Sequence, residues 1–211
     1  MVDWWNKGTK IPLNNGNFQK IIDFYLFNCP CETESGSVGK GTKKHTKVSK
    51  RGTTLRAQGW TNGFLNTLLA AMKKTVSGHL EYHPFSEGTN IAIESDKIEI
   101  SAGLSDVYFE MIVFAERSDM NKTSAIFYYI RNALAHGSFS TVSVGNRKIY
   151  YLESSKNDTV KARIRLHEET LLKWIKDFAL SPTTLRNVLK EDAKNKKKFR
   201  LCHMENTERL L

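Results

Sequence analysis

The chain has 211 residues, 40 % of them hydrophobic and 26 % charged, proportions ordinary for one soluble globular domain. Four prolines and 13 glycines exclude a collagen-like or wholly disordered chain, and three cysteines (Cys29, Cys31, Cys202) are too few for a disulfide scaffold. No apolar run approaches the roughly 20 residues of a membrane span, and Met1 to Asn6 lack the basic start and apolar stretch of a signal peptide, so the expectation is cytoplasmic, with no membrane partner.

The net charge of +10 is unevenly placed. Between Ser35 and Leu80 there is no acid, while nine cations fall there, among them Lys40, Lys43, Lys44, Lys47, Lys50 and Arg51. A local field of this kind attracts polyanions, of which nucleic acid is the commonest. It also suits a plain solvated loop.

In chain order, Phe18, Ile21, Ile22, Tyr25 and Leu26 have the spacing of an amphipathic helix that Cys29-Pro30-Cys31 ends. Residues 32–59, rich in Gly, Ser, Thr and Lys, read as a long mobile basic loop. Trp60 to Val76 carries a second helical stripe, bracketed by Gly78 and Pro84. Ile91-Ala92-Ile93 and Ile98-Glu99-Ile100 flank a polar tetrapeptide and suggest a small hairpin. Leu104, Val107, Tyr108, Met111, Ile112 and Ala115 suggest a third helix. After a turn at Ser118 to Asn121, a fourth runs from about Lys122 to His136, with Gly137 just past its end. The period then changes. Val142, Val144, Ile149 to Leu152 and the strict alternation of Val160, Ala162, Ile164 and Leu166 with Lys161, Arg163 and Arg165 predict two or three short strands. A helix around Leu171 to Ala179 and a short one from Ser181-Pro182 follow. The expected organisation is one domain over 1–193 and a basic, fraying tail over 194–211.

The sharpest local feature is Ile130-Arg131-Asn132-Ala133-Leu134-Ala135-His136-Gly137. Asn132 and His136 lie about 40° apart on a helix, and Arg131 about 100° to the side of Asn132. Arg131-Asn132-x-x-x-His136 resembles the R-x4-6-H motif of the HEPN (higher eukaryotes and prokaryotes nucleotide-binding) superfamily, over roughly Phe64 to Ala179. The resemblance implies a mainly α fold, a HEPN-like helical bundle with a small β-hairpin or sheet elaboration after the motif helix. It also implies a metal-independent endoribonuclease without cofactor, acting as a homodimer whose two motif helices build one composite cleft. In that reading the 2′-hydroxyl of RNA is the nucleophile. His136 of each copy supplies base or acid, Arg131 holds the phosphate, and Asn132 orients His136 or a phosphate oxygen. A toxin or antiphage role, with an antitoxin or defence-system partner, is the usual context of the family. Ser138 stands where one subset carries a modifiable tyrosine, so control by nucleotidylation is not expected.

The basic segment would hold RNA electrostatically, and Arg163 and Arg165, sharing one strand face, would line an RNA groove. Other motifs are weaker. His79-Leu80-Glu81-Tyr82-His83 lacks the zincin order and Cys29-x-Cys31 is a poor zinc knuckle, so no metal is expected. Gly36 to Thr42 lacks the Gly-Lys-Ser/Thr of a phosphate loop. The competing readings are a non-catalytic RNA- or nucleotide-binding module, a structural dimerisation partner in which Arg131 and His136 only pack, and the immunity partner of a separate toxin.

Overall fold

A change of hydrophobic period along the chain has a structural counterpart: helices alternate with strands until three strands run in succession. The computed structural model describes residues 14–29, 55, 58–103 and 109–208. In it, helix α1 (Gly16–Ile22) continues into a π-helical turn (Asp23–Asn28). There follow α2 (Asn62–Met72), β1 (His79–Phe85), α3 (Ile91–Ala102), β2 (Phe109–Ala115) and α4 (Lys122–Ala135). The chain continues with β3 (Phe139–Val144), β4 (Arg147–Lys156), β5 (Thr159–His167), α5 (Glu168–Ala179) and α6 (Pro182–Glu208). The strands form one mixed sheet in the order β1-β2-β5-β4-β3, parallel between β1 and β2 and antiparallel elsewhere.

The sheet has a core on each face. On one, Ile112, Phe114, Tyr150, Leu152, Ala162, Ile164 and Leu166 meet α1, α2, α4 and α5. Phe24, Tyr25, Phe127 and Phe178 pack edge-on or tilted there, and Trp60 stacks on Phe178. Two buried polar aromatics are satisfied by main chain: the Tyr25 hydroxyl donates to the Leu171 carbonyl at 2.9 Å, and Trp174 Nε1 to that of Met72 at 3.1 Å. On the other face, Ile91 of α3 covers Phe109, Met111, Val113 and Ala115.

This architecture is α/β, which corrects the expected mainly α bundle. Of the expected third helix, Met111, Ile112 and Ala115 lie in β2 (Phe109–Ala115), and Leu104, Val107 and Tyr108 lie outside the described residues. That strand lies between β1 and β5 and is buried on both faces, so its apolar residues run on without alternating and also fit a helical spacing. The expected hairpin at 91–100 is α3. Its buried stripe is Ile91, Ser95 and Glu99, two polar residues in three, while Ile93 and Ile100 are 51 % and 71 % exposed; the usual amphipathic signature is absent. His79 to His83, expected at a helix end, forms β1. The tail expected to fray from Lys194 continues α6 to Glu208.

β1 is a sheet edge. The Glu116 amide donates to the Phe85 carbonyl at 2.7 Å, which turns Phe85 toward β2 and its neighbour Pro84 outward.

Helix α4 has defined ends. Its N-cap Asn121 accepts from the Ser124 amide at 2.9 Å. At the other end Ser138 N–H bonds to the Ala133 carbonyl and Gly137 N–H to that of Leu134, with Gly137 at φ 68, a Schellman closure that a residue with a Cβ enters at a cost. His136 is the C-cap and is exposed. Asn121→Ala is expected to lower stability by about 1 kcal/mol, read as a shifted urea midpoint with unchanged slope; no shift would remove the cap from the account.

Candidate active-site cleft

The C-terminal ends of the parallel strands β1 and β2 open on one side of the sheet, the usual location of ligand sites in α/β folds. Here a cleft of about 530 Å³ is walled by Ala115 and Glu116, the turn Arg117 to Asp119, Tyr128, Tyr129, Asn132 and His136 of α4, and Ser154, Ser155, Lys156 and Lys161 of the β4–β5 hairpin, with Glu87 opposite. A second cleft of about 270 Å³ shares Asn132, His136, Ser154 and Ser155. Asn132 and His136 therefore stand on both.

Most charges in the larger cleft are committed. Arg117 donates through Nε and a terminal nitrogen to both Asp119 oxygens, at 2.9 and 2.6 Å, and lies 4.7 Å from the Tyr128 ring centre. Those hydrogen bonds hold the Asp119 carboxyl below its usual range. Glu116 pairs with Lys122 at 2.6 Å. The Tyr129 hydroxyl donates to the Ala115 carbonyl at 2.8 Å, and burial pushes it up to about 12, so it remains a phenol. By contrast, the side chains of Asn132, His136 and Lys161 make no hydrogen bond or ion pair with described residues.

The predicted trio is only partly assembled. Asn132 and His136, one turn apart, share the cleft. Arg131 is half-buried outside its lining, its Nε 3.4 Å from the Leu26 carbonyl in the π-helical turn. Arg163 and Arg165 do not line a groove. They project to the face covered by α3, where Arg163 is held by Glu153 (2.8 Å), Asp96 (2.7 Å) and the Ser95 hydroxyl (3.1 Å). Arg165 lies 4.3 Å over the Phe109 ring centre. They are 9 % and 7 % exposed, so their charges serve packing. Lys40, Lys43, Lys44, Lys47, Lys50 and Arg51 lie outside the described residues.

His79 and His83 both approach Glu81, at 3.2 and 2.8 Å, across one face of β1, and these bonds lower the Glu81 carboxyl. Among the described residues no group of three His, Cys, Asp or Glu is placed to hold a metal, and no helix is long and apolar enough to cross a membrane.

Sequence reasoning missed Lys156 and Lys161. The available signal was Asn157-Asp158, a two-residue turn with φ 49 and 57 that joins β4 to β5 and brings both lysines to one end of the hairpin.

No protein-family model, curated protein or solved structure matches this chain.

Proposed function

We propose that the protein is a metal-independent endoribonuclease acting at the α4 cleft. The observation that carries this reading is the convergence on one open cleft of an amide, an imidazole and an ammonium (Asn132, His136 and Lys161) that have no partner among the described residues. RNA brings its own nucleophile. His136 takes the proton of a 2′-hydroxyl as its oxygen attacks the adjacent phosphorus. The bond from phosphorus to the 5′-oxygen breaks, and that oxygen leaves with a proton from a second acid. The products are a 2′,3′-cyclic phosphate and a 5′-hydroxyl. The second acid is the His136 of another copy in a homodimer, as the motif resemblance implies. Asn132 donates to a phosphate oxygen.

The test is cleavage of end-labelled single-stranded RNA in excess chelator, with identification of both product ends. Cyclic phosphate formed by the wild type without metal is the expected result. Loss of all activity on chelation overturns the mechanism. RNA binding without scission is the second reading, favoured by one fact: Arg131 meets Leu26 and does not line the cleft. It predicts affinity for RNA and no products.

A further inference from the structure

The cleft's cations are not equivalent. Arg117 is tied to Asp119, on whose carboxylate Lys156 also acts electrostatically, whereas Lys161 makes no hydrogen bond or ion pair with described residues. Its place follows from an irregularity. β4 and β5 pair Ser154 with Ala162 but Ser155 with Val160, so Lys161 is an extra residue, a β-bulge. Strict alternation would send Lys161 to the face of Arg163 and Arg165, beneath α3. With the bulge it lines the cleft beside Asn132 and His136.

We propose that Lys161 is the phosphate-positioning residue of this cleft, its ammonium taking a non-bridging oxygen of a single-stranded RNA backbone opposite Asn132 and His136. The substrate class rests on the ribonuclease reading. The anion site rests on the bulge and on an ammonium without a partner among the described residues. A cleft of about 530 Å³ has the size of a small-ligand site and admits a nucleotide or two of a single strand. A lysine ammonium suits a phosphate oxygen as a mobile point charge with three donors. The bulge explains why a lysine on a buried-looking strand is kept from the core: it turns Lys161 to the cleft and Val160 to the α3 face, and leaves Ala162, Ile164 and Leu166 buried on the α4 face.

The experiment measures fluorescence anisotropy of a labelled 12-nucleotide single-stranded RNA on the full chain, with chelator, across a salt series. His136→Ala serves as the background that prevents cleavage. Added Lys161→Ala is expected to weaken binding about 5–20-fold at low salt and to flatten the slope of log affinity against log salt by about 0.7, one phosphate contact on a single strand. Lys161→Arg retains most of the affinity. Lys176→Ala, an exposed lysine on α5, controls for net charge and leaves binding unchanged. Unchanged affinity and slope in Lys161→Ala overturn the proposal, as does an equal loss in Lys176→Ala. Its failure is separable from that of the ribonuclease reading. Weakened binding by Lys161→Ala in a protein that never cleaves RNA retains the anion site and removes the nuclease. Cleavage by the wild type with binding indifferent to Lys161 does the reverse. Absence of any RNA binding removes both.

Discussion

His136→Ala is expected to reduce RNA cleavage by about 10²–10⁴-fold, the range of a general acid or base, while leaving the thermal midpoint of unfolding unchanged. The second half of that statement follows from the structure. His136 is exposed, and the Schellman closure beside it is made by the main chain of Ala133, Leu134, Gly137 and Ser138. Nothing in the core depends on the imidazole. Asn132→Ala is expected to lose less, as it removes one donor and no proton transfer. Arg131→Ala separates the two readings of the motif. Its contact with Leu26 predicts a shift in stability, and a role on the phosphate in a composite site predicts loss of cleavage at unchanged stability. Equal cleavage by the wild type and His136→Ala would dismiss the imidazole from the chemistry.

Glu153→Ala is expected to destabilise the protein by about 3–5 kcal/mol, since it leaves the Arg163 guanidinium beneath α3 without its buried partner. Glu153 and Arg163 are each 9 % exposed, and their hydrogen bond is 2.8 Å. Asp96, with a side chain 58 % exposed, offsets only part of the loss. The paired replacement Glu153→Leu with Arg163→Met removes both charges and is expected to recover most of the deficit, because apolar isosteres avoid the desolvation of two ions. Urea unfolding of wild type, single and double variants forms the test. A single-variant loss below about 1 kcal/mol would mean that water reaches the guanidinium, contrary to its burial.

The sequence was most legible where structure is locally encoded. Asn121 and Gly137 mark both ends of α4, and the alternation from Ala162 to Leu166 identifies β5, because caps and alternating strands leave signals within a few residues. Where tertiary context decides, the same reasoning failed. β2 is apolar except for Glu110 because neighbours cover both faces, and α3 presents Ser95 inward because Arg163 meets it there, with Glu99 buried on the same stripe. The site divides similarly. The spacing of Asn132 and His136 places them one turn apart and thus in one cleft. Whether Arg131 joins them depends on the π-helical turn, more than 100 residues earlier in the chain. Arg163 and Arg165 looked like a groove because alternation reveals a shared face and not what lies against it. Lys161 was invisible because the bulge leaves the written alternation of Val160, Ala162, Ile164 and Leu166 unbroken, although Val160 packs on the α3 face and the other three on the α4 face.

Pro84 carries a consequence for assembly. It stands in an edge strand with its nitrogen turned outward, where a partner strand would need an N–H. The proline removes no bond from the sheet and withholds one from any newcomer. Polymerisation through continuous strand addition at β1 is thereby discouraged, and the two histidines around Glu81 add polar bulk to the same strand. The opposite edge, β3, carries no proline, so strand addition is discouraged at one edge only, and an open-ended β-ribbon, which needs both edges, is disfavoured.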